Sequence, residues 1–189
     1  MFLSKSFEDC SRYALPGREK VFLENTIGVF ASKKFRKEID QEFGSYSETV
    51  MNINHETFES DPKTFYESLC ILNSLKLSNK QKEILDKVVN NNECISTWYS
   101  PPLHWVVYAT GKLENDDGDK GYASNLAISE RVGIHMYDML IKLGAKEDAT
   151  NYYKDTLRDI IEHYDTVYTL TRRTHNKDFL NHVWNSLNM

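Results

Sequence analysis

Glycine and proline are scarce in this sequence, at 8 and 4 of 189 residues. A fold of many short strands needs frequent turns, which favour both residue types, so their scarcity disfavours such a fold. No apolar run approaches the roughly 20 residues that span a bilayer, and residues 1–9 lack the apolar core of a signal peptide. We therefore expect a cytoplasmic protein that has no contact with a membrane, and secretion by a route without a signal peptide stays open.

Cysteine is also rare, and the chain has no CxxC pair. The three cysteines are Cys10, Cys70 and Cys94. An odd number without paired spacing indicates neither a disulfide framework nor a zinc ribbon, and Cys70 falls in an apolar stripe that is typical of a core. His175 and His182 could share a helix face, but only Asp178 is a further local ligand, so we expect no metal and no cofactor.

The charge balance is mildly acidic, with a formal net charge of -5. The densest basic stretch, residues 33–37, is followed at once by acidic residues, which indicates a solvated helix face. Binding of duplex nucleic acid needs a concentrated basic surface, so we expect no nucleic-acid partner and consider a partner with a basic surface. The chain also lacks the Walker, GxGxxG, GxSxG and HExxH motifs.

Helix signals recur along the whole chain. Asp61 and Pro62 provide an acidic N-cap with proline at the first helical position, and Ser78 with Gln81 matches a capping box. Apolar stripes predict one helix over residues 19–43, one from Pro62 that includes Leu72, and one from the Ser78 capping box to about residue 89. Further helices are predicted over about residues 101–108, 125–132, 134–143, 148–170 and 176–187. We expect an all-α fold with an N-terminal helical block (1–93) and a helical-hairpin block (94–189), packed as one domain.

Residues 125–145 resemble an ankyrin repeat. Leu126-Ala127 stands where that family has the Leu-Ala pair of its first helix, and Gly133 stands where the chain turns. Leu140-Ile141 then matches the apolar pair of the second helix, and Gly144-Ala145 matches its end. Upstream, Pro102-Leu103-His104 is similar to the Thr-Pro-Leu-His that opens such a repeat, although an extra proline separates it from Ser100. The resemblance covers about residues 100–150 and implies stacked helical hairpins.

The resemblance implies a non-enzymatic protein-binding module. Such proteins usually bind through the loop tips and first helices of their hairpins, and tyrosine and tryptophan are favoured anchors. The expected surface consists of Trp98, Tyr99, His104, Trp105, Tyr108, Asp116, Asp117, Asp119, Ser129 and Glu130. An alternative is that the aromatic residues pack inside the domain. An inhibitor of the immunity or antitoxin type and a secreted effector both fit a small acidic binder, and the oligomeric state stays open.

A second hypothesis is a hydrolase or transferase of the Cys-His type. Cys94 and His104 are ten residues apart, on either side of the proline pair Pro101-Pro102, where a turn could bring them together. The residues around Cys94 match no catalytic motif, so the binding module is preferred.

Overall fold

The computed structural model describes residues 36–90, 100–111, 128–151, 154–162 and 177–188. All regular secondary structure in these ranges is helical and none of them contains a β-strand, which confirms the all-α class. In chain order the elements are α1 (36–43), a 3-10 turn (Gly44–Tyr46), α2 (Ser47–Met51), α3 (His55–Ser60), α4 (Pro62–Ser74), α5 (Asn79–Val89), α6 (Pro102–Gly111), α7 (Glu130–Lys142), α8 (157–162) and α9 (Lys177–Leu187).

Local capping bonds begin α4 and α5 where the sequence predicts them. The Asp61 carboxylate accepts from the backbone N–H of Thr64 at 3.1 Å, and Pro62 opens α4 without needing a donor. At α5, the Ser78 hydroxyl accepts from the N–H of Gln81 at 3.2 Å, and the Gln81 side chain accepts from the N–H of Ser78 at 2.9 Å. These bonds use N–H groups that a helix leaves unpaired at its start, so both predicted starts are confirmed.

Two glycines with left-handed backbone end helices. Gly44 has φ +55° directly after α1. Gly144 has φ +102° after α7, and the N–H of Ala145 donates to the carbonyl of Leu140 at 3.0 Å. The N–H of Gly144 donates to the carbonyl of Ile141 at 3.0 Å. This bond pair is a Schellman motif, which only a residue tolerant of positive φ closes without strain.

Helix α6 lies at the centre of the core. All ten of its residues are buried, from Pro102 to Gly111. Among the described helices, α6 contacts α7 most extensively, and α7 also packs against α4 and α9.

Asn90, at the end of α5, holds the chain after α7, because its side-chain amide donates to the Gly144 carbonyl at 2.9 Å and accepts from the Lys146 N–H at 2.8 Å.

Gly133 lies within a continuous helix, so the predicted turn there is wrong. It belongs to the first turns of α7, and a Cβ built on it would come 2.2 Å from Cγ2 of Thr110 and 2.3 Å from Oγ1 of the same side chain. The glycine therefore allows the last turn of α6 to approach the first turns of α7. The predicted helix pair 125–132 and 134–143 is replaced by one helix, and Leu126-Ala127 lies outside the described residues.

The helix predicted from Asp148 begins later, at Leu157. Before it, the Asn151 side chain accepts from the N–H of Asp155 at 2.9 Å, and Lys154 has φ +73°. Thr156 and Asp159 then form a reciprocal cap, in which the Asp159 carboxylate accepts from the Thr156 N–H at 2.8 Å and the Asp159 N–H donates to the Thr156 hydroxyl at 3.2 Å. The local bonds of this loop thus outweigh the apolar periodicity that predicted a longer helix.

Candidate functional site

The aromatic anchors predicted for a binding surface are core residues. Trp105 is 2% exposed, and its ring packs against the His55 ring in a T-shaped arrangement with a centroid distance of 5.0 Å. Phe58 packs on the same indole at 6.0 Å, and Tyr108 is also buried. The prediction that His104, Trp105 and Tyr108 form a surface is therefore wrong, and the alternative that the aromatics pack inside the domain is correct for Trp105 and Tyr108. Trp98 and Tyr99 lie outside the described residues.

His104 is fully enclosed. Burial lowers the pKa of its imidazole to about 4, although the neighbouring backbone of Asp155 acts in the opposite direction. Neither ring nitrogen has a partner with hydrogen-bond geometry among the described residues. A base in this position is neutral at pH 7 but is out of reach of a substrate from solution, which argues against the Cys-His hypothesis. Its other member, Cys94, lies outside the described ranges.

Two buried polar residues of α6 lie near the loop before α8. His104 and Tyr108 are four residues apart, so they share one face of the helix. The side-chain amide of Asn151 lies 3.4 Å from the Tyr108 hydroxyl, and Asn151 also fixes the turn to Asp155. This face of α6 therefore positions the loop of residues 151–156, which is a structural role.

Among the described residues of the predicted surface, those at the start of α7 reach solvent. Ser129 is exposed and stands at the N-cap, and Glu130 is half-buried in the first turn, where its charge suits the helix N-terminus. We call the end of α6 and the start of α7, with the sequence that joins them, the α6–α7 edge. The predicted acidic residues Asp116, Asp117 and Asp119 belong to that joining sequence, outside the described residues.

A polar cluster between α7 and α9 has no counterpart in the predicted site. Glu147 accepts from the Tyr137 hydroxyl at 2.5 Å and from the Ser186 hydroxyl at 2.6 Å. Beside them, Nε2 of His182 lies 2.7 Å from the Asp138 carboxylate. Burial is the main cause that raises the pKa of Tyr137, and the hydrogen bond to Glu147 raises it further. The phenol therefore stays protonated and donates its hydrogen bond. The cluster fastens α9 to α7.

A second cluster lies in the seam between α4 and α7. The hydroxyl of Tyr66 is 2.8 Å from Nδ1 of His135, and the two rings meet edge to face at 5.6 Å. Burial raises the pKa of Tyr66, an interaction with Cys70 adds to that, and Arg131 acts against it. Cys70 is half-buried and packs against the hydrophobic core, in agreement with its place in an apolar stripe.

The described residues contain neither a cluster of metal ligands nor a helix that could cross a membrane. In the parts of the chain that the structure describes, no three His, Cys, Asp or Glu side chains cluster as metal ligands would. No helix within those parts has the length and apolar character to cross a membrane.

Comparison with known proteins gives no relative. No protein-family model matches the sequence, and neither the curated proteins nor the solved structures include a significant match.

Proposed function

We propose that the chain is a protein-binding module that meets a partner with a basic surface at the α6–α7 edge. The proposal rests on one observation. Pro102-Leu103-His104 at the start of α6 and Gly144-Ala145 after α7 both resemble parts of an ankyrin repeat, and these two helices pack against each other. Gly133 brings the two helices into close contact. This pairing favours a repeat-like unit, and such units present the joining segment between helices to their partners.

Charge favours a basic partner. Residues 112–127 hold Glu114, Asp116, Asp117 and Asp119 against Lys112 and Lys120, and the whole chain has a net charge of -5. Complementary charge mainly speeds association and selects partners. Because Trp105 and Tyr108 are core residues, they do not supply the anchor of this contact. A toxin-neutralising inhibitor and an effector that engages a host protein are both compatible with such an edge.

The test compares two charge variants of the full chain as baits in lysate of the native host. The edge variant combines Glu130→Gln with Asp116→Asn, Asp117→Asn and Asp119→Asn. The control, matched in net charge, carries Glu67→Arg and Glu83→Arg on the exposed faces of α4 and α5. We expect the edge variant to lose a protein that the parent and the control both retain, with a smaller loss at high salt. Equal capture by edge and control variants would refute the proposed edge.

A further inference from the structure

His104 is an ionisable side chain enclosed at the centre of the core. It is 0% exposed, and it belongs to α6, all of whose residues are buried. Neither ring nitrogen has a hydrogen-bond partner among the described residues. A buried polar group of this kind has lost its bonds to water and gained none in return, which an apolar side chain would avoid. The position therefore indicates a role for the imidazole besides filling the core.

The loop of residues 151–156 lies on the same face of α6 as His104. The Asn151 amide is 3.4 Å from the hydroxyl of Tyr108, one helical turn after His104. The loop is closed by its own bonds, because the Asn151 N–H donates to the Asp155 carbonyl at 3.0 Å and the Asp155 N–H donates to the Asn151 side-chain oxygen at 2.9 Å. Both backbone groups of Asp155 are thus engaged within the loop.

Among the described residues, no charged side chain compensates a charge on this imidazole. The backbone of Asp155 is the one group besides burial that acts on the pKa of His104, and the Asp155 carboxylate accepts from the Asn151 amide at 3.4 Å. His55, with Glu59 beside it, contacts Trp105, which projects roughly 100° around α6 from His104.

Helices α7 and α9 pack against α6, and α8 follows the loop. Their titratable side chains, none of which acts on the pKa of His104, are Glu130, Arg131, His135, Tyr137, Asp138, Lys142, Arg158, Asp159, Glu162, Lys177, Asp178 and His182. In the loop, the Lys154 side chain is exposed. A proton on His104 would therefore create a buried charge without a counter-charge, which the closed structure disfavours strongly.

The loop is the element that can open to let water reach His104. Lys154 has φ +73°, a backbone conformation that strains a residue other than glycine, so opening relieves strain. The described residues of the loop are all polar, so their release exposes little apolar surface. We propose that His104 is an acid-sensitive switch, whose protonation detaches the loop of residues 151–156 from α6 while the surrounding helices stay folded.

The size of the effect follows from the two states of the imidazole. Burial holds the pKa of His104 at about 4 in the closed loop, and water returns it to about 6.5 in the open loop. The closed loop therefore has its full advantage above pH 6.5 and loses it as the pH falls towards 4. Between pH 7 and pH 5, the ratio of open to closed loop should rise about twentyfold.

The experiment is native-state hydrogen exchange with mass spectrometry on the full chain at pH 7 and pH 5, with protection expressed relative to an unstructured chain at the same pH. We expect the protection of peptides covering residues 151–156 to fall about twentyfold. His104→Gln and His104→Leu both remove the titrating ring and should abolish the fall. His135→Gln, which removes an exposed histidine on α7, is the matched control and should retain it.

Low urea concentrations separate a local opening from global unfolding. Because the open loop exposes little surface, its exchange at pH 5 should not change with urea, whereas exchange in α4 and α5 should accelerate. Loop peptides that match α4 and α5 in both protection and urea dependence would overturn the proposal, as would a fall that persists in both His104 variants. The test requires no partner, so its outcome is independent of the proposed binding edge.

Discussion

The close approach of α6 and α7 at Gly133 predicts the effect of adding one methyl group there. In Gly133→Ala the new Cβ would lie 2.2 Å from Cγ2, 2.3 Å from Oγ1 and 2.7 Å from Cβ of Thr110. Turning the Thr110 side chain relieves the first two contacts only, so the helices must move apart. Overpacking of this kind costs about 1–3 kcal/mol, and the better helix propensity of alanine returns about 0.5–1 kcal/mol. We expect a net loss of about 1–2 kcal/mol in the free energy of unfolding.

A double-mutant cycle isolates the cause. Equilibrium urea unfolding is measured for Gly133→Ala, for Thr110→Ala and for the double variant. Because alanine at 110 removes both side-chain atoms nearest to the added methyl, the double variant should lose about 1 kcal/mol less than the two single losses added together. A Gly133→Ala variant that is more stable than the parent, or two effects that simply add, would refute the close helix contact.

Three further variants or conditions test the core and the helix end. Trp105→Ala should lower stability by about 3–5 kcal/mol in thermal or urea melts by leaving a cavity, and should bind the partner normally while folded. Stability should fall as the pH is lowered from 6.5 to 4. In this range His104 and His55 become protonated in the unfolded chain, whereas in the folded chain burial lowers their pKa to about 4 and keeps them neutral. The loss should be about 3 kcal/mol for His104, measured by urea unfolding across pH, and it should be absent in His104→Gln. His55 should contribute less, because its Nε2 lies 3.4 Å from the Glu59 carboxylate, which stabilises the protonated ring. Gly144→Ala should cost about 1 kcal/mol, since its φ of +102° strains an alanine.

The predicted helix starts agree with the structure because they depend on bonds between near neighbours. Asp61 with Thr64 and Ser78 with Gln81 are three residues apart, so the sequence contains the whole interaction. The glycine cap at Gly144 is local in the same way. The Thr156-Asp159 cap is local in the same way, and it starts α8 inside the apolar stripe of residues 148–170.

The position of α6 could also have been predicted. Residues 102–111 contain no Asp, Glu, Lys or Arg, and a helix that lacks a charged face is usually buried on all sides. That property places Trp105 and Tyr108 in the core, whereas the resemblance to a repeat placed them on a surface. The role of Gly133 could not have been predicted, because the sequence does not distinguish a glycine at a turn from a glycine at a close contact between helices.

The polar clusters depend on tertiary contacts and were not predictable. His182 meets Asp138, and Tyr66 meets His135, across 44 and 69 residues of chain. Each partner alone is an ordinary polar residue on a helix. Only the packing of α7 against α4 on one side and α9 on another pairs them.

The central claim is that a partner protein binds at the α6–α7 edge. Hydrogen exchange followed by mass spectrometry, on the chain alone and with the captured partner, tests it most directly. We expect added protection on peptides that cover residues 112–132 and no change in α4 and α5. Protection confined to α4 and α5, with none over residues 112–132, would contradict it.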